Sequence, residues 1–164
     1  MVDAGLFHDQ KVELLDGTIV DMTPASPRHE FVIDRLVEKF YEVFLGRLLV
    51  RNQNAINIEL PAWLPHPDVV LVKKKDYSVL RPTPDDVYLL VEVANTSLHL
   101  DKGQKREIYA SVGIKEYWIA DLSRDIWIIN RRPEGDIYRE VKELSFDTAL
   151  ALLDFSDDVH SWLV

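Results

Sequence analysis

Leu89-Leu90-Val91-Glu92-Val93-Ala94 is an apolar run of strand length with a single carboxylate set inside it. A continuous Leu/Val run reads as a strand buried on both faces, where an ionised carboxylate must be paired, metal-bound or neutralised. Two other charged residues are placed to meet Glu92. Asp68 stands at the entry of a second core-type run, Asp68-Val69-Val70-Leu71-Val72. Lys105 follows in a helix read from about Leu100 to Val112 and stopped by Gly113. On the wheel of that helix, Asp101, Ile108, Tyr109 and Val112 share a face with Lys105, while Gly103, Arg106 and Glu107 fall opposite. Lys105 therefore lies on the core-facing stripe, an uncommon place for lysine. Two carboxylates meeting at one point suit a hard divalent cation such as Mg²⁺ or Mn²⁺, held with waters and substrate phosphate. A neighbouring lysine can orient or deprotonate the attacking water and stabilise charge on phosphate. Asp68, Glu92 and Lys105 thus form a set suited to metal-dependent phosphodiester hydrolysis.

The elements that must carry these residues follow from pattern. Lys11-Val12-Glu13-Leu14-Leu15 and Thr18-Ile19-Val20-Asp21 flank Asp16-Gly17, the signal of an N-terminal β-hairpin. Ser26 suits a helix N-cap and Pro27 the first helical position. From there Val32, Ile33, Leu36, Val37, Phe40, Phe44 and Leu45 recur at helical spacing as far as Gly46. Leu48-Leu49-Val50 and Ile56-Asn57-Ile58 read as short strands, and a proline-rich approach, 61–67, leads into Asp68. After a charged loop to Asp86 comes the Glu92 strand. Asn95-Thr96-Ser97 then opens the Lys105 helix. Glu116–Ala120 and Ile126–Asn130 form an antiparallel pair around the turn Asp121 to Asp125, and Ile137–Val141 adds a third strand beyond Gly135-Asp136. The tail from Leu150 to Val164 reads as one or two short docking helices. The order predicts one mixed α/β domain over residues 1–164, with a central mixed sheet flanked by helices.

Composition narrows the function. The 164 residues are 47% hydrophobic, enough for a proper core, and contain no cysteine, which excludes disulfides, thiolate chemistry and Cys-built zinc sites. No signal-peptide pattern and no membrane-spanning run is present, which predicts a cytoplasmic protein with no membrane partner. With 19 basic and 28 acidic residues the formal charge is −9, against a general charge-driven nucleic-acid binder but not against an enzyme that meets phosphate through a metal. His8, His66, His99 and His160 show no paired metal spacing. Lys73-Lys74-Lys75 reads as a solvated loop, and Trp118 and Trp127 as core.

Larger motifs join these residues. His66-Pro67-Asp68, Glu92-Val93-Ala94, Asp101 with Lys105 and Tyr109, and Gly113-Ile114-Lys115-Glu116-Tyr117-Trp118-Ile119-Ala120-Asp121-Leu122 together resemble the Uma-type family of bacterial restriction endonucleases. That family belongs to the PD-(D/E)XK, restriction-endonuclease-like, superfamily. The resemblance extends from Leu14-Leu15-Asp16-Gly17 and Ser26-Pro27-Arg28-His29 to Arg131-Arg132-Pro133 and Tyr138. It implies a restriction-endonuclease-like core and a DNA substrate, with Asp68, Glu92 and a carbonyl near Val93 binding Mg²⁺ and Lys105 acting on the water. Ala94 stands where the superfamily usually places its lysine; the resemblance assigns that part to Lys105, in the following helix. His29 and Gln53 match positions often retained in the family, as supports to the site, and superfamily nucleases often act as homodimers.

Blander readings stand beside this one. Asp68 alone suits a strand start, Lys105 alone an ion pair with Asp101 or a snorkelling side chain, and His29 the first turn of its helix. The whole could be a nuclease-like fold used for interaction or oligomerisation, its charges a structural network. A glycosidase using Asp68 and Glu92 as acid and base is a third reading, which a lysine between the two does not favour.

Overall fold

The structure is a computed structural model that describes residues 12–21, 26–95 and 97–163. Lys11, Thr96, His8 and Val164, to which the sequence reading assigned places or roles, lie outside the described residues.

Six strands make the central sheet, in the order β3 (Leu48–Asn52), β4 (Val69–Lys73), β5 (Val87–Ala94), β6 (Glu116–Asp121), β7 (Ile126–Glu134) and β8 (Ile137–Ser145). Only β5 and β6 are parallel, with Glu92 opposite Ile119; the other neighbours are antiparallel. A parallel pair needs a crossover, and here the crossover is the helical stretch 98–111. The Glu92 strand and the Lys105 helix are therefore consecutive halves of one β-helix-β unit, which forces the helix back over the sheet.

The two sheet faces bury different sets. Helix α1 (Pro27–Phe44) places Val32, Ile33, Leu36, Phe40 and Phe44 against Val69, Leu71, Val91, Val93, Trp118 and Trp127. The 98–111 stretch covers the other face, where Tyr109, Ala110, Tyr117, Leu90, Val70 and Ile128 meet. Period-2 alternation along β5 sends Val91 and Val93 to the first face and Leu90 and Ala94 to the second.

Ser26 caps α1 as its type predicts: its Oγ accepts the His29 N–H at 3.3 Å, and Pro27 opens the helix. Ser26→Ala should cost about 1 kcal/mol in chemical denaturation, the usual worth of a cap. The hairpin β1 (Val12–Leu15) and β2 (Thr18–Asp21) forms around Asp16 (φ 50°) and Gly17 (φ 73°). Two left-handed residues in succession give the primed turn that matches strand twist, and Gly17 adopts it without steric cost.

Three expectations are corrected. Ile56-Asn57-Ile58 is no strand. Its amides bond to loop carbonyls, Ile56 N–H to Pro65 and Asn57 N–H to Pro82, while Ile56 and Ile58 plug the core. The helix after β5 is not continuous. It runs as α2 (Leu98–Leu100), a wide π turn over Asp101–Lys105, and α3 (Arg106–Ser111). Gly103 takes the non-helical backbone (φ −99°, ψ −106°) that this turn requires, and the Tyr117 hydroxyl donates to the Asp101 carbonyl at 3.1 Å. The tail is a pair of strands rather than helices: β9 (Leu150–Leu152) pairs with β10 (Phe155–His160). Glu116 anchors it by accepting the Leu153 N–H at 2.6 Å, and Trp162 packs its ring 4.9 Å from Phe40.

Candidate active site

Where β5 ends, buried charged side chains from four parts of the chain meet. Lys105, 6% exposed, places its Nζ 3.1 Å from Glu92 Oε1, 3.2 Å from Glu13 Oε2 and 3.6 Å from Asp101 Oδ1. The Tyr109 hydroxyl donates to the same Glu92 oxygen at 3.1 Å. Ser97 holds Asp101 from the other side, its hydroxyl donating to Oδ2 at 2.7 Å. The π turn turns Asp101 and Lys105 inward together, because both are buried on one side of it.

Asp68 enters from the start of β4. Its Oδ2 accepts the Val93 N–H at 2.8 Å, which fixes Asp68 one peptide away from Glu92. His29, in the first turn of α1, reaches the same oxygen with Nε2 at 3.4 Å, while its buried Nδ1 has no partner among the described residues. The Gln53 N–H donates to the Asp68 carbonyl at 3.1 Å from a left-handed backbone (φ 51°). The structure thus gathers Glu92, Lys105, Asp101 and Tyr109 into one contact group. It gathers Asp68, His29 and the Gln53 backbone into a second, and Val93 joins the two.

One member escaped sequence reasoning. Glu13, in β1, is 6% exposed and lies on the Lys105 ammonium. The signal was present: in a strand Glu13 shares its face with Leu15, and both are buried. What the pattern could not supply was the span to Lys105, 92 residues along the chain.

The electrostatics are lopsided. Glu13, Asp68, Glu92 and Asp101 are each 7% exposed or less, against one ammonium. Elsewhere a buried acid has its own base: Asp86 has Lys75 at 2.7 Å and Glu116 has Arg131 at 2.6 Å. Burial, reinforced by the Asp101, Asp68 and Glu13 charges, lifts the Glu92 carboxyl well above the usual range despite Lys105. Burial likewise raises Asp101. Burial opposes the Lys105 charge, but Glu92, Glu13 and Asp101 outweigh it and hold the ammonium above its ordinary value. The Asp68 hydrogen bond raises His29, against the effect of burial.

A hard divalent cation fits this donor set. The Lys105 and Tyr109 donors land on Glu92 Oε1, and the Val93 N–H and His29 Nε2 meet Asp68 at Oδ2. The excess of buried negative charge asks for a cation. Among the described residues no three His, Asp or Glu side chains gather as a metal cage, so a bound ion would draw on two carboxylates, backbone oxygen and water, the usual habit of Mg²⁺.

The fold has a solved counterpart. The crystal structure of a putative nuclease belonging to DUF820, from Anabaena variabilis, matches with a TM-score of 0.72 at 13% identity, over 95% of this chain and 93% of that one. A search of curated proteins gives no match. No helix among the described residues is long and apolar enough to cross a membrane. The Uma2 family, described as "Putative restriction endonuclease", matches residues 5–160. With nearly its whole length covered by that match, the chain belongs to the Uma2 family.

Proposed function

We propose that this protein is a Mg²⁺-dependent endonuclease that hydrolyses DNA phosphodiester bonds. Asp68, Glu92 and the Val93 carbonyl would hold the metal, with Mn²⁺ as a working substitute. The single observation that carries this reading is a buried lysine 3.1 Å from a buried glutamate whose neighbouring peptide N–H is held by Asp68 at 2.8 Å. Four buried acids meet one ammonium and one histidine, and a bound divalent cation would complete the charge balance.

A bound Mg²⁺ supplies Lewis acidity toward a phosphate oxygen and lowers the pKa of water. The protein's own groups do the rest. Lys105, whose charge Glu92, Glu13 and Asp101 favour, would donate to the attacking water or to charge developing on phosphate. Tyr109 and Lys105, both on Oε1, fix the rotamer of Glu92. The Val93 N–H and His29 do the same for Asp68. A single site cuts one strand, so cutting a duplex through calls for two copies, and the proposal includes a homodimer.

The test is cleavage of supercoiled plasmid, linear duplex and single strand, with Mg²⁺, with Mn²⁺ and with EDTA, beside a Mn²⁺-soaked crystal. Metal-dependent cutting, with an anomalous peak between Asp68 and Glu92, is the expected result. Concentrated protein that nicks none of these substrates would overturn the reading. Metal binding should also follow pH. Protons compete for Glu92, so calorimetric Mg²⁺ affinity is expected to fall as pH drops through its raised value.

A further inference from the structure

The N-terminal hairpin lies outside the six-stranded sheet, yet it reaches the site at two points. Glu13 Oε2 lies 3.2 Å from Lys105 Nζ, and Glu13 Oε1 accepts the His66 N–H at 2.8 Å. Backbone bonds fasten the rest of the hairpin to the same approach: Leu64 N–H to the Leu14 carbonyl and Gly17 N–H to the Ala62 carbonyl, both at 2.9 Å. Residues 62–66 run directly into Asp68. The hairpin thus ties the segment that delivers Asp68 to the helix that delivers Lys105, and Glu13 joins the two at side-chain level.

We infer that Glu13 is a positioning residue: its carboxylate sets the Lys105 ammonium in its working place. The inference rests on the nuclease reading above. Lys105 stands on a wide π turn beside Gly103, and a long side chain there has several rotamers open to it. Three carboxylates from three elements define one point for the ammonium: Glu92 from β5, Asp101 from the π turn and Glu13 from the hairpin. Asp101 is four residues from Lys105 and moves with it, and Glu92 is shared with the metal. Glu13 is the tie that is independent of both. With Glu13 neutral, Lys105 would keep its fold partners but lose its third anchor, and the water it serves would lose alignment.

Glu13→Gln tests this, since the amide keeps the shape and an acceptor for the His66 N–H while removing the charge. The expected result is a single-turnover cleavage rate lower by about 10²-fold, the scale of a misplaced group, with KM for DNA and half-saturating Mg²⁺ unchanged. In a Lys105→Met background, Glu13→Gln should lower the rate no further. A wild-type rate in Glu13→Gln would overturn the inference. So would an equal loss in both backgrounds, or a shifted Mg²⁺ requirement, which would make Glu13 a metal ligand. A wild-type protein that cuts nothing sinks the nuclease reading instead. The Lys105 ammonium signal in ¹⁵N NMR, assigned by its loss in Lys105→Arg, then decides the placement, as it does if the double variant fails to fold. Glu13→Gln should shift that signal or broaden it away, and an unchanged signal counts against the inference.

Discussion

Glu92→Gln should abolish metal-dependent cleavage and, in the same molecule, make the metal-free protein more stable. The rate is expected to fall on the order of 10³-fold, the scale for removing one pre-arranged electrostatic group. The stability gain follows from the raised Glu92 carboxyl. A group whose folded pKa lies above its unfolded value penalises folding at neutral pH, and the penalty is relieved as pH falls through the folded value. The neutral amide should therefore be the more stable of the two at pH 7 without metal. Below the unfolded carboxyl value the two proteins should converge. Denaturant unfolding of both proteins from pH 8 to pH 4, in EDTA, reads the effect directly. A variant no more stable than wild type at pH 7 would mean that Lys105 and Tyr109 already offset the charge in full. Magnesium should reverse the order, because binding stabilises only the protein that keeps its ligand. Gain of stability with loss of activity is the usual mark of a residue kept for chemistry.

Much of this site could be read from the sequence because its residues broke local patterns. A carboxylate inside Leu89–Ala94 and a lysine on an apolar helix stripe are misplaced for folding, and misplacement was the signal. The crossover then brings them together: β5, 98–111 and β6 form one unit, so the distance from Glu92 to Lys105 was set by topology. Asp68 was legible for a related reason, since it immediately precedes the strand beside β5. Glu13 was not. It contacts Lys105 through the docking of a two-stranded hairpin on a loop, and docking has no short-range code.

The same distinction separates the elements. Helix α1 and the Asp16-Gly17 hairpin formed as expected because cap, proline, glycine and period agreed. The residues 56–58 misled because a run of Ile-x-Ile fits a strand and a core plug equally, and the partners of its amides lie in loops. The tail misled because its register is set by Glu116, buried on β6, which accepts the Leu153 N–H, and by the partly buried Arg131 on β7, which donates to the Ala151 carbonyl. The π turn arises from Gly103 and from Tyr117's hold on the Asp101 carbonyl, neither of which changes hydrophobic period.

Lys105→Met should be the most destabilising substitution in the site, and magnesium should repair part of it. Methionine matches the length and apolar stem of lysine but leaves Glu13, Glu92 and Asp101 without their shared ammonium. Removing one partner of a buried ion pair costs about 3–5 kcal/mol, a large part of the roughly 5–15 kcal/mol that holds a domain together. The acids can answer only by taking up protons or a metal. The deficit should therefore shrink as pH falls, since Glu92 and Asp101 are already raised in the wild type and would rise further. Measured against the metal-free wild type, Mg²⁺ should recover about 2.7 kcal/mol of the deficit at a concentration one hundred times the variant's Kd, if the cation binds Asp68 and Glu92 as proposed. On the alkaline side the deficit shrinks as well, for a different reason. The wild type carries stability from a lysine raised above 10.5, and that stability is lost as pH climbs through the folded value. The methionine variant has none to lose, so the two unfolding curves should begin to approach each other as pH rises past the ordinary lysine value. Thermal melts at pH 6, 8 and 11, each with EDTA and with Mg²⁺, separate these terms. A deficit that magnesium does not reduce at any pH would place the cation elsewhere and leave the cluster a structural network. A deficit repaired by magnesium while cleavage stays lost would separate the two duties of the site, with the carboxylates holding the ion and the ammonium serving the water.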